Sequence, residues 1–122
     1  MESNEQVIRD FLTAWSRLDA EELVGYFTED VVYHNMPSSP AVGRVDVEAR
    51  IRRFLSGWTE TRWDLVNIIC DADVVMAERM DRTTAGAKSV DLPCVGVFVM
   101  RDGKIAVWRD YFDLTTYQRA MA

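Results

Sequence analysis

Apolar residues recur along this chain in two rhythms, and the rhythm changes near residue 60. Over residues 3–18, Val7, Ile8, Phe11, Leu12, Trp15 and Leu18 fall at the spacing that lines one side of an α-helix. Ser3 stands where an N-cap belongs, and Gln6, three residues on, completes a capping-box pattern. Asp19 opens a second, short helix running to about residue 27. Thr28-Glu29-Asp30 reads as a turn, and residues 31–36 as a short strand that Pro37 and Pro40 bring to an end. Gly43 precedes a third helix over residues 45–57, whose apolar positions are Val47, Ile51, Phe54 and Leu55.

From there the period shortens to two. Residues 61–70, 74–83, 90–100 and 104–113 are runs rich in Val, Ile, Trp and Phe. They are separated by Asp71-Ala72-Asp73, Thr84-Ala85-Gly86 and Arg101-Asp102-Gly103. Asp-Gly between two apolar runs is a hairpin signal, and Asp113 can cap a last helix over residues 114–121. Helices followed by an antiparallel meander define the α+β class. A small sheet with helices on one face makes a half-cone whose mouth can hold a ligand. Many unrelated functions use that shape, so function has to be argued from side chains.

Composition narrows the field. A chain of 122 residues with 48% apolar content fits one domain with its own core. The net charge of −6 is spread without a basic stripe, which argues against nucleic acid as a partner. No stretch approaches the roughly 20 apolar residues of a membrane span. The polar residues 1–6 carry no apolar signal core, and a cytoplasmic protein is expected. Cys70 and Cys94 lie inside apolar runs without metal-ligand spacing, and read as buried, reduced thiols. Asp71-Ala72-Asp73 reads as a turn rather than a cation site. No Gly-rich loop follows a strand, so a nucleotide cofactor is not expected, and the lack of metal-ligand spacing leaves no metal expected.

Acidic residues inside apolar strands are the informative oddity, because aspartate is depleted in strands and costly to bury unpaired. Arg79 and Asp81 are two apart and share a strand face with Val75 and Ala77. Asp110 shares one with Ala106, Trp108 and Phe112, leaving Ile105, Val107, Arg109 and Tyr111 on the other. A guanidinium can bridge two carboxylates with its fork of donors. Spacing alone leaves three readings open: a functional site, a buried ion network that fixes strand register, or aspartates turned to solvent. Tyr33 and Asn35 share a face and could hold a water, although Asn35 could equally serve the turn at Pro37. His34, the one histidine, points the other way and reads as structural. Cys94 lacks a neighbouring base and reads as a core or pocket-wall residue. Glu78 lies opposite Arg79, and Trp15, Trp58, Trp63 and Trp108 read as core or subunit contacts.

Three stretches, Tyr33-His34-Asn35-Met36-Pro37, Glu78-Arg79-Met80-Asp81 and Trp108-Arg109-Asp110-Tyr111-Phe112-Asp113, resemble in that order the signature segments of limonene-1,2-epoxide hydrolases. The likeness continues through Gly96-Val97-Phe98 and Gly103-Lys104-Ile105. The resemblance implies a curved mixed sheet of the nuclear-transport-factor-two-like (cystatin-like) type, a homodimer, and cofactor-free addition of water to a small cyclic or terpene-like epoxide. In that pattern Asp110 matches the general base, Tyr33 and Asn35 help hold the water, Asp81 matches the general acid, and Arg79 links the carboxylates. Trp108, Phe112, Leu92, Cys94, and Leu12 or Trp15 are the expected pocket walls, and the outer face with Arg109 and Tyr111 the expected subunit contact. The chain departs from the pattern in a short N-terminus and a trimmed segment, residues 83–90, expected at the pocket mouth. Isomerases of the ketosteroid-isomerase kind, polyketide-cyclase-like enzymes and a non-catalytic binding module are the competing readings. Arg79 weighs against the isomerase, because a cation beside the acid disfavours its neutral, proton-donating form.

Overall fold

Ser3 acts as the N-cap that the spacing predicts: its Oγ accepts from the Gln6 backbone N–H at 3.1 Å and opens α1, Asn4–Ala14. The Gln6 side chain donates to Asp10 rather than turning back, so only half of the capping box forms. The structure, a computed structural model, describes residues 2–122. A 3-10 turn, Trp15–Arg17, ends at Leu18 with φ 53° and redirects the chain into α2, Ala20–Val24, which Asp19 caps.

The strand that follows is longer than expected. β1 spans Phe27–Asn35, and Thr28-Glu29-Asp30 form no turn. They bulge instead: between Phe27↔Ile105 and Val32↔Val107 the register with the neighbouring strand shifts, so the polar residues loop outward within a continuous strand. Phe27 is fully buried and anchors the strand's start, while Asp30 bonds Thr28 and Arg101 at the surface. A two-residue strand without a sequence signal, β2 (Ala41–Val42), pairs with β1 before Gly43, at φ 89°, leads into α3, Arg44–Gly57.

The meander is as the period-two runs predict: β3 Glu60–Asp71, β4 Val74–Ala85, β5 Lys88–Arg101 and β6 Lys104–Tyr111, then α4, Leu114–Met121, capped by Asp113. The β5–β6 hairpin turns on Asp102 and Gly103, at φ 53° and 76°, the paired positive angles of the tight turn that Asp-Gly favours. The six strands run in the order β2-β1-β6-β5-β4-β3. All neighbours are antiparallel except β1 and β6, which are parallel. The sheet is open, and its register shifts in β1, β3 and β6 add the curvature that makes one face concave.

The concave face holds the core. Val7, Ile8, Phe11 and Leu12 of α1 pack there with Val47 and Ile51 of α3. Phe11 meets Trp15, Phe27, Phe98 and Trp108 edge-on, and Trp15 stacks on Trp63 at 4.2 Å. Full burial of each such ring contributes on the order of 2–3 kcal/mol. Strict alternation fails once in β6: the β5–β6 register slips between Val99 and Met100, and Ile105 joins the core instead of facing out. Cys70, near the end of edge strand β3, is exposed rather than buried; both cysteines are free. On the convex face Ile69, Met76, Val97 and Arg109 are successive cross-strand partners, as are Glu78, Val95 and Tyr111. Ile69 and Met76 leave 68% and 45% of their surface in solvent. Among the described residues no helix is long and apolar enough to cross a membrane.

Candidate active site

Register brings the chemistry together. In β4, Arg79 and Asp81 stand two apart, opposite Cys94 and Leu92 of β5. Asp110 of β6 is paired with Gly96 of β5 on one side and, through the parallel β1–β6 contact, with Asn35 on the other. Tyr33 is the partner of Trp108 one step down, and the two rings stack at 4.1 Å. The Asp110 carbonyl accepts from the Met36 N–H at 2.9 Å, which ties the end of β1 to the same point.

The Arg79 guanidinium joins the two acids. Nε donates to Asp81 Oδ1 at 2.8 Å, and Nη2 to Asp81 Oδ2 at 3.2 Å. On the other side Nη1 donates to Asp110 Oδ1 at 3.0 Å and Nη2 to Asp110 Oδ2 at 2.6 Å. The Trp108 indole Nε1–H adds a further donor to Asp110 Oδ1, at 2.6 Å. Arg79 is 1% exposed and lies 4.4 Å from the Trp63 ring centroid, so its charge is held by two carboxylates and an aromatic face rather than by water.

Gly96 makes this reach possible. Arg79 starts in β4 and must cross β5 to bond Asp110 in β6. A Cβ at Gly96 would stand 2.6 Å from Arg79 Nη1, 2.9 Å from Asp110 Oδ1 and 2.9 Å from Phe98 Cε2. A glycine inside an apolar strand is the mark of such a close approach. That mark is the only trace in the sequence of the part Gly96 plays here.

Electrostatics then separates the groups. Burial raises the Asp81 carboxyl from 3.8 to about 6, against the lowering effect of Arg79 and its hydrogen bonds. A proton on Asp81 leaves the triad with one cation and one carboxylate, neutral overall, which is the cheapest arrangement for a desolvated cluster. Burial also opposes the Arg79 charge, but Asp110 and Asp81 outweigh it and hold the guanidinium protonated. Burial, reinforced by the Asp110 charge, keeps the Tyr33 phenol well above its ordinary range, so it remains a donor. Burial pushes the Cys94 thiol up as well, which makes it inert as a nucleophile.

A cavity of about 330 Å³ opens over the triad. Tyr33, Asn35, Asp81 and Asp110 reach its wall, together with Leu92, Cys94 and Phe112. Trp108, Leu12 and Trp15 do not line it: all three sit in the core beneath, filling the layer between α1 and the sheet. Trp58 and Trp63, read as core or subunit contacts, do face the cavity. Residues 83–90 are not on its wall; Ala85, Ala87 and Lys88 border a shallower groove beside it. The α3 side chains Arg50, Arg53 and Phe54 and the α4 side chains Leu114 and Tyr117 complete the enclosure. Helical spacing of 50, 53 and 54 was the signal available for the first three; α4 gave none. The Trp58 indole donates to Tyr117 Oη at 3.0 Å and pins α4 against the mouth. His34 is structural, donating from Nε2 to the Ser38 carbonyl at 2.7 Å, and Glu78 accepts from Asn67 on the convex side.

The open, cone-shaped mixed sheet with its helices has the nuclear-transport-factor-two-like fold. Such a protein from Burkholderia pseudomallei superposes with a TM-score of 0.87 at 23% identity, covering 100% of this chain and 99% of that one. A SnoaL-like protein from Shewanella putrefaciens shares the fold as well, with a TM-score of 0.84 at 14% identity, covering 99% of this chain and 97% of that one. Within the class the family is defined: the model of the limonene-1,2-epoxide hydrolase catalytic domain matches residues 2–122, and the chain belongs to that family. It is 31% identical over 107 residues to epoxide hydrolase EphG of Mycobacterium tuberculosis, across 88% of this chain and 71% of that protein. The solved structure of an LEH-like epoxide hydrolase from M. tuberculosis superposes with a TM-score of 0.85 at 27% identity, covering 97% of this chain and 89% of that one.

Two outcomes follow from the geometry. Gly96→Ala is expected to cost about 1–3 kcal/mol in urea unfolding, as overpacking does, and to remove most activity by displacing Arg79. A variant as stable as the parent would show that the close approach is slack. The raised Asp81 pKa sets the second. A folded-state pKa above the unfolded one gives stability that is full below 3.8 and lost as pH rises through about 6. Asp81→Asn lacks that titration, so the melting temperature of the parent relative to this variant should fall between about pH 3.8 and about 6 and level off above that. Parallel curves would mean that Asp81 ionises normally.

Proposed function

We propose that this chain is an epoxide hydrolase that adds water to a small epoxide in one step, by general acid and general base catalysis without a covalent intermediate or a cofactor. The observation that carries the reading is the pair of carboxylates on opposite sides of one buried guanidinium, both reaching an apolar cavity. Family membership and the similarity to EphG support epoxide hydrolysis as the activity.

Epoxide opening near neutral pH is slow because water is a weak nucleophile and an alkoxide a poor leaving group. Asp110, with Tyr33 and Asn35 beside it, holds a water and takes its proton as the oxygen attacks one ring carbon. The C–O bond at that carbon breaks as Asp81 delivers its proton to the epoxide oxygen, and a vicinal diol results. Each such contribution is worth about 10²–10⁴-fold. The turnover leaves Asp110 protonated and Asp81 ionised, so one proton must return to Asp81, through Arg79 and its bonded oxygens or through solvent. Burial and the neighbouring Asp110 charge favour the protonated form of Asp81, while Arg79 opposes them and holds both carboxyls in place. Phe112, Leu92, Cys94 and Trp63 offer the apolar wall for a cyclic or terpene-like body, and the cavity lies at the small end of ligand pockets.

We propose as well that two copies pair across the convex face, where Ile69, Met76, Val95 and Tyr111 are exposed. A contiguous apolar patch of this kind marks an interaction surface.

Asp110→Asn is expected to fold and to lose about 10³-fold or more in kcat on cyclohexene oxide, the size of a lost general base. Single turnover of the parent in ¹⁸O-water should place label in the first diol. Unlabelled first diol would mean that an aspartate attacks the ring covalently, and full activity of the variant would remove Asp110 from the base role. For the pairing, sedimentation should give a dimer for the parent and a monomer for Met76→Lys. A parent that sediments as a monomer at micromolar concentration would overturn it.

A further inference from the structure

The hydrolase reading leaves two cations at the cavity wall without a task. Arg50 and Arg53 are three apart on α3, hence on one face of the helix, with Phe54 completing it. Among the described residues Asp81 and Asp110 are the only carboxylates on that wall, and both are bound by Arg79. Among the same residues neither Arg50 nor Arg53 takes part in an ion pair. Arg52, between them in sequence but on the outward side, bonds Glu48 at 2.8 Å, so this helix does pair an arginine where it faces solvent. Arg50 is half-buried and anchored from Nη1 to the Ser39 carbonyl at 2.8 Å, which fixes the head while leaving other donors free. Arg53 is exposed and borders both the cavity and the adjoining groove, where Lys88 adds a third positive charge. A mouth this basic, on a chain whose net charge is −6, runs against the protein's overall field.

Resting on the hydrolase reading, we infer that the substrate is an epoxide carrying an anionic oxygen group, a carboxylate in its smallest form, which Arg50 and Arg53 receive while the epoxide ring lies against Asp81 and Asp110. The forked guanidinium suits a planar carboxylate, and two of them three residues apart can grip it from one helix face. The apolar wall between arginines and triad takes the hydrocarbon body. The arginines act before and during binding, by drawing the anion in and orienting it, and take no part in the proton transfers. The exposed position of Arg53 limits its strength, since water and salt screen it.

The test compares cyclohexene oxide bearing a ring carboxylate with its methyl ester, one ring and two charges. At low ionic strength the parent should prefer the carboxylate by about tenfold in kcat/KM, the scale of one charge-assisted hydrogen bond. The preference should shrink toward parity at about 0.5 M salt, where the screening length falls to a few ångströms. Arg53→Gln and Arg50→Gln should each lower the carboxylate-to-ester ratio several-fold, and Arg53→Lys should restore part of it. The loss should lie mainly in KM. If the parent turns over the ester as well as or better than the carboxylate at low salt, the inference fails and the hydrolase reading stands, because an acidic chain without useful arginines should repel the anion. If neither compound gives diol, the hydrolase reading fails and this inference with it. The salt dependence of the parent decides the matter even if a variant does not fold.

Discussion

Everything in the mouth of this cone depends on one buried cation. Arg79 donates to both carboxylates at once, and its guanidinium is shut away from solvent. Removing one partner from such a cluster typically costs about 3–5 kcal/mol, because the remaining charges are stranded. The same cluster is a poor source of net stability, since an apolar replacement of similar volume often does as well. Its persistence in a small sheet therefore has to be understood through what it arranges: three strands held in one register, and two carboxyls brought to one cavity.

The register matters because the reaching side chains come from strands that are not neighbours. Arg79 in β4 and Asp110 in β6 are separated by β5, and the distance is closed by leaving out a side chain at Gly96. A slip of one residue in either hairpin would send Arg79 or Asp110 to the convex face. The Asp-Gly turn between β5 and β6 guards one of these registers, and the parallel pairing of Asn35 with Asp110 guards the other edge. Backbone pairing, turn chemistry and charge thus agree on one arrangement.

Much of this arrangement is legible in the order of residues alone. Strand alternation places Arg79 with Asp81 and Asp110 with Trp108, and the caps at Ser3, Asp19 and Asp113 mark three helix starts. Strand alternation and helical spacing say which face a residue takes but not how deep it lies, and for that reason Trp108, Leu12 and Trp15 are expected on the cavity wall and found in the core. Bulges break the period-two rule locally, which hides the outward loop of Thr28-Glu29-Asp30 and the inward turn of Ile105. The contributions of α3 and α4 to the cavity come from how those helices dock, a tertiary matter that no local pattern encodes. The two-residue β2 is too short to leave a pattern at all.

Trp108 joins regions usually treated apart. Its ring is packed between Phe11, Phe98 and Tyr33 in the deepest layer, while its Nε1–H ends on the carboxylate at the cavity floor. The indole is a rigid lever with one arm in the hydrocarbon interior and the other on a carboxyl oxygen. Any repacking of the interior that tilts the ring changes the length of that hydrogen bond, and with it the place of the oxygen in the cavity. Interior and mouth therefore cannot drift independently over evolutionary time: a neutral exchange of one buried ring for another is, at this position, also a change in the shape and polarity of the cavity floor.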